Sequence, residues 1–357
     1  MLKINKKNIL LFFFLFYLIF TTILTSNVFA SFQVQTGYYI GDGVSGLQIS
    51  GIGFQPDFVL IRSASSSGPG VFKTSAMPAS VVAFTSANAD NTASQITLDS
   101  SGFTLGTISN VNSANIYYRW IAIAGSNCSA SGTFCVGTYT GDGTAIRNIS
   151  VGFQPSVVIV KRSTAVAAHL RTSSQPVNQT IFLNSNATDN AGNYIRNFGA
   201  TDFQVGSLDN VNGATYYYVA FANVSGIFAE GTYTGDGIDN RNINVGFEPD
   251  FVFVKNSNNP TAANRRPLIN FIESFGESSS HIGDNLTSII NAIKGFYNSG
   301  FIVGTSPQVN QPGDTFYWFA IKGVSNYSPS GSFQMATGSY TGNGTCLLYT
   351  SPSPRDS

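Results

Sequence analysis

Asp42, Asp142 and Asp236 each stand between two glycines, and they are the first residues of this chain that could do chemistry. A calcium site gathers several carboxylate or carbonyl oxygens. Asp42 and Asp142 have no second acid near them and Asp236 has only Asp239, so they read as turn residues, with a cation ligand as the alternative. Asp57 and Asp250 also recur, with Ser156 in the equivalent position between them. Glycoside hydrolysis needs two acids at a set separation, once per enzyme. One acid repeated in a turn is a different pattern. His169 and His281 are the only histidines, and neither sits in a recognisable motif. A Ser-His-Asp arrangement would need one of them; both read as ordinary surface or loop residues. Sequences of the form G-x-S-x-G, H-E-x-x-H or the P-loop do not occur. The reading is therefore non-enzymatic, with no catalytic residue, no metal and no cofactor. Cys128 and Cys135 lack metal-ligand spacing. They either close a small loop in an oxidising compartment or stay unpaired as small apolar residues. Lys73-Thr74 and Arg171-Thr172 share one mid-repeat position, with Arg265-Arg266 near it further on. Contact with an anionic glycan is one role for these cations; a solvated loop charge is the favoured one.

Aromatic residues supply the remaining candidates. The segments YYRWIAIA, YYYVAFA and FYWFAIK alternate as strands do. One face carries Ile121 and Ile123, Val219 and Phe221, Phe319 and Ile321, and reads as core. The other carries Trp120, Tyr218 and Trp318 beside small alanines. With Tyr118 and Tyr216 these form a candidate ligand-binding ledge, able to stack on sugar rings and to gain by repetition. Packing beneath the leading phenylalanines Phe32, Phe134, Phe228 and Phe333 is the competing use.

These residues sit in a repeat of about 100 residues. Tyr39–Gly43, Tyr139–Gly143, Tyr233–Gly237 and Tyr340–Gly344 share an aromatic residue and a Gly-Asp/Asn-Gly turn. A Gly-Phe-x-Pro follows in the first three, its proline marking where a strand begins. The apolar pentads FVLIR, VVIVK and FVFVK come next, without alternation, so this strand is expected buried on both faces. Arg62, Lys161 and Lys255 at its end are expected to emerge into water. A third anchor of the type Gly-Phe-x-Val-Gly precedes each aromatic strand. The fold class that follows is all-β: three tandem β-sandwich, jelly-roll-like modules of seven or so strands, each able to bury a core of its own. Their bounds are 31–126, 127–226 and 227–324, with the start of a fourth repeat at 325–345. Asp284–Lys294 has helical spacing behind an Asp and is expected to form a helix in the third module.

Charged residues are only 10% of the 357, and 18 Lys+Arg balance 18 Asp+Glu. No basic excess exists to neutralise phosphates, so no nucleic-acid partner is expected. Residues 1–30 have a basic start, an apolar run over Ile9–Leu24 and a Val-Phe-Ala ending. They read as a signal peptide cleaved after Ala30, which makes the chain secreted or cell-surface. An uncleaved anchor is the alternative for this run. No membrane span is expected in the mature chain. Residues 346–357 include CLLYTSPSPRD, which resembles the translation of a sequencing-library transposase adapter, so the natural sequence is read as cut off after Thr345, inside the fourth repeat, with an unknown continuation.

Taken together, the anchors Tyr139–Gly143, Gly152–Lys161, Asp202–Gly206 and Tyr216–Phe221 resemble repeats of phage tail-fibre-like and bacterial surface proteins, a domain of unknown function. The resemblance covers about Phe32 to Lys322. It implies a stalk or receptor-facing module and supplies no catalytic or ligand residues. The export signal departs from a phage structural protein and favours a bacterial surface protein. The functional expectation is a non-enzymatic exported surface or adhesion-type protein, whose repeats act as spacers or as ligand-binding, glycan-directed modules. The partner would be an extracellular glycan or a cell-surface ligand, with oligomeric state open. Two other readings are the non-catalytic arm of a secreted polysaccharide-active enzyme and a phage tail or receptor-binding protein.

Overall fold

A computed structural model describes residues 32–64, 68–185, 187–257, 267–271, 278–283 and 288–323. The N-terminal segment, the fourth repeat, the C-terminal tail and Arg265-Arg266 lie outside them. The fold is all-β and antiparallel; among the described residues the three successive repeats have eight, nine and eight strands. Each repeat folds into two sheets. The larger has five strands in the first and third repeats and six in the second; the smaller always has three.

The pentad strands lie inside the larger sheets. Phe58–Ser63 pairs with Val71–Thr74 on one side and Tyr117–Ala124 on the other. Val157–Arg162 and Phe251–Asn256 take the same place. All six residues of Phe58–Ser63 are buried, as the lack of alternation requires. The smaller sheet carries the Gly-Phe-x-Val-Gly anchor, as in Ile146–Ser150 paired with Asp202–Gly206.

Two kinds of core result. Between the two sheets of each repeat lies a private one, built in the first around Val59, Ile61, Phe103 and Trp120. Counterparts form around Val158, Val160, Phe203 and Tyr218, and around Val252, Val254, Phe301 and Trp318. The opposite faces of the three larger sheets share a single further core. Leu60 and Ile121, Leu170 and Val219, and Phe253 and Phe319 all belong to it. The leading phenylalanines join it as well: Phe134 stacks on Phe221 at 5.1 Å, Phe221 on Phe228 at 4.8 Å, and Phe32 meets Phe134 edge-on at 5.7 Å. A small, wholly apolar cavity is lined from all three repeats, by Leu60, Ile159 and Phe319 among others.

Backbone contacts run around this shared core in a cycle. The Ala168 amide donates to Thr85 O, second repeat to first, at 3.2 Å, and the Gly70 amide to Ile282 O, first to third, at 2.8 Å. The corresponding residue of the third repeat is Pro267, which has no N–H to give. There Gly283 lies so close to Leu183 O that a Cβ would stand 2.0 Å from it. Gly323 also sits against Val34, joining the two ends of the described chain.

Two expectations are corrected here. Within Asp284–Lys294, the described residues are not helical: Ile289 bridges to Ser279 and Ile293 begins the strand Ile293–Tyr297. The fourth-residue spacing of apolar groups there comes from a bridge followed by a strand. The cations at the pentad ends do not reach water either. Arg62, Lys161 and Lys255 are buried, and the first two reach into a neighbouring repeat. Arg62 donates to His281 O of the third repeat at 2.7 Å, and Lys161 to Asn88 O of the first at 3.1 Å.

Candidate functional site

The Gly-Asp-Gly turns are built for closeness. A Cβ on Gly41, Gly141 or Gly235 would lie 2.0–2.2 Å from a carbonyl oxygen, and Gly43, Gly143 and Gly237 have φ of +73 to +78°. Each aspartate accepts the amide two residues on, Val44, Thr144 or Ile238, at 2.8–2.9 Å. Behind each turn stands a fully buried asparagine: Asn112, Asn210 or Asn310. Its Oδ1 accepts the turn's aspartate amide, and its Nδ2 donates back into the turn. Hydrogen bonds from Thr144 and Asn210, with Arg147 beside it, hold the Asp142 carboxyl down at about 2. Those bonds occupy the carboxylates with the turns themselves. The asparagines escaped sequence reading because Val111-Asn112 resembles Val211-Asn212, two positions out of register with the true equivalent, Asn210. The signal was the constant six-residue step to Tyr118, Tyr216 and Phe316.

The aromatic ledge is not at the surface. Tyr118, Trp120 and Tyr216 are fully buried and Tyr218 and Trp318 nearly so, inside the private cores. Glycine on the neighbouring strand makes room for each ring: a Cβ on Gly37 would lie 2.5 Å from Trp120, with Gly137 against Tyr218 and Gly231 against Trp318 in the same way. Both faces of the closing strand are therefore core, one private and one shared. Lys73 and Arg171 are likewise buried rather than solvated. Lys73 donates to the carbonyls of Pro78, Ala79 and Val81, and Arg171 to those of Gln175, Pro176 and Gln179. Each cation braces a loop, and burial lowers Lys73 to about 8 and Arg171 to about 10. Cys128 and Cys135 are joined by a disulfide where the first repeat meets the second.

Neither histidine is a surface or loop residue; both are buried on strands. His281 Nε2 meets Gln308 Oε1 at 3.1 Å. His169 Nδ1 lies 2.9 and 3.1 Å from the two carboxylate oxygens of Asp209, with both side chains 1% exposed. Its Nε2 has no hydrogen-bond partner. Phe182 lies edge-on to the imidazole at 4.9 Å, and Tyr194 packs at 4.2 Å. Burial, Asp209 and Asp189 together push the Tyr194 hydroxyl up.

Strand register shows what this pair replaces. His169 stands opposite Val160 as Val71 stands opposite Ile61 and Leu268 opposite Val254. Asp209 precedes the bracing asparagine as Val111 and Val309 do. Val71 and Val111 share one private core, Leu268 and Val309 another. The second repeat thus carries an imidazole and a carboxylate where its neighbours carry two aliphatic side chains. Aligning the repeats by their bracing asparagines would have exposed the exchange; reading the histidines one by one did not. Among the described residues no group of three or more His, Cys, Asp or Glu is placed to hold a metal, and no helix is long and apolar enough to cross a membrane.

Fold and site together define a repeat-built, all-β protein in which three sheet pairs share one core. The chain belongs to the family described as domain of unknown function DUF7483, which matches residues 30–323. That span contains all three sheet pairs. No curated protein matches the chain.

Proposed function

We propose that this is a non-enzymatic, exported, adhesion-type protein whose three repeats act as one rigid binding head rather than as a string of spacers. The supporting observation is the core shared by all three larger sheets, closed by contacts from the first repeat to the third. A spacer gains nothing from ends that meet. A recognition surface gains by being held on a stiff frame, since ordering costs are met on folding rather than on binding. Export rests on the signal-like residues 1–30, with cleavage after Ala30, and places the protein in the medium or on the cell surface. The repeat pattern's resemblance to phage tail-fibre and bacterial surface proteins favours recognition over catalysis. A second reading, the carbohydrate-binding arm of a polysaccharide-active enzyme, is supported by the half-exposed rings of Phe182 and Tyr194.

The test has two parts. Expression in a secreting bacterial host should yield a product beginning at Ser31, read by intact mass. The purified chain should bind cells or extracellular polysaccharide without degrading it. Retention in the cytoplasm with residues 1–30 intact, or turnover of the bound polymer, would contradict the proposal.

A further inference from the structure

The second repeat contains a polar pair that folding does not require. Two of the three repeats fill the same positions with Val71 and Val111, or Leu268 and Val309, all fully buried. Replacing an aliphatic contact by a buried imidazole and carboxylate sacrifices stability, because both groups must be stripped of water. Aliphatic side chains leave nothing unsatisfied at these positions. Here one atom is unsatisfied: His169 Nε2 is buried and unpartnered. With the Asp209 carboxylate accepting, the ring proton belongs on Nδ1, and Nε2 then presents a lone pair. Such an acceptor in an apolar surround favours a ligand that donates a hydrogen bond to it.

The surroundings narrow the ligand further. Phe182 and Tyr194 lie against the imidazole and are themselves partly exposed, so they are the side chains that stand between the buried ring and the surface on this side. Tyr194 directly follows the loop between the strands Thr188–Asp189 and Ile195–Phe198. It takes the place of the buried Gln95 and Ala292 of the other repeats, and alone of the three reaches the surface. Two carboxylates, Asp189 and Asp209, act on the Tyr194 hydroxyl against one cation, Arg162. Carboxylates thus outnumber cations around this hydroxyl, which suits a ligand without acidic groups.

We propose that His169, Asp209, Phe182 and Tyr194 form a saccharide-binding site confined to the second repeat, for a sugar ring without acidic groups. A ring hydroxyl donates to His169 Nε2, Asp209 fixes the imidazole, and the aromatic rings pack against the sugar's C–H face. Tyr194 moves aside to admit it. The site rests on the recognition reading above and gives it a ligand class and an address.

The experiment is a glycan array probed with the full chain, with His169→Val/Asp209→Val, and with Tyr194→Ala. The double variant installs the first repeat's own residues. It should keep or raise the unfolding midpoint and lose binding to neutral saccharides by about tenfold or more. Tyr194→Ala alters only a partly exposed residue and should also lose binding with the fold intact. Binding within about twofold of the parent in either folded variant, or a preference for acidic saccharides, would overturn the site while leaving the recognition reading in place. A lower midpoint in the double variant would make the pair structural and overturn the inference. Failure of the parent to bind any saccharide would overturn it too, and binding to no cell or polymer would remove the recognition reading with it.

Discussion

Single residues hold this fold to its shape by filling space and satisfying turns. Asn210 makes four hydrogen bonds to Asp142 and Thr144 from a fully buried position. Asn210→Ala should cost about 3 kcal/mol of unfolding free energy in urea titration, since turn donors and acceptors are left unmet. Gly37 has ordinary backbone angles, so Gly37→Ala tests space alone. The methyl would meet the indole of fully buried Trp120, and the loss should be about 2 kcal/mol in the same assay. Asp250 carries a pH signature. Burial lifts its carboxyl to about 6, Glu248 adding to the rise and the Gly323 amide opposing it. The folded state thus binds this proton more tightly than the unfolded chain, whose carboxyl has the ordinary value of 3.8. Its stabilisation is complete below pH 3.8 and is lost as pH climbs through about 6. Stability should rise by about 1 kcal/mol from this group as pH falls from about 7 to about 5, and Asp250→Asn should remove that rise. The turns were legible in the sequence because the positive φ of Gly43, Gly143 and Gly237 and each aspartate's bond to the amide two residues on are local. The bracing asparagines and the His169–Asp209 pair were not, because their partners lie 40 or more residues away.

At the scale of elements, what the sequence made plain was strand character. The unbroken pentads, the prolines two residues ahead of them and the alternating aromatic segments all mark strands that the structure contains. Direction of exposure was harder. A strand with one apolar face and one aromatic face normally has one side to water, yet here both sides are interior. Neighbouring repeats likewise meet Arg62 and Lys161, whose positions at strand ends would be solvent-facing in an isolated sandwich. Cation-to-carbonyl bonds replace the lost water. The junction between the first two repeats carries a disulfide, which closes a separation of seven residues. Cys128→Ser/Cys135→Ser should lose about 2 kcal/mol relative to the oxidised protein, by the unfolded-state entropy of so short a loop. The same variant compared with reduced parent protein should show little difference.

Across the whole molecule, the repeats are legible in the sequence and their mutual packing is not. Three similar units can form a line or a closed group with the same local patterns; only contacts between units decide. Val34, Ile123, Phe134, Phe228 and Ile321 were all readable as apolar, but nothing in their spacing says they meet in one interior. An isolated pair of repeats, residues 31–225, comprises the first two units. In the structure it would expose Leu60, Ile121 and Leu170 where the third repeat covers them. Each larger sheet needs the other two to cover its outer face, which makes the three repeats one folding unit.

Calorimetric unfolding of residues 30–323 tests that dependence most directly. The account predicts one transition, with a calorimetric enthalpy equal to the van't Hoff enthalpy, and no cooperative transition at all for residues 31–225. Two or three separable transitions in the longer chain, or a sharp transition in the shorter one, would contradict it.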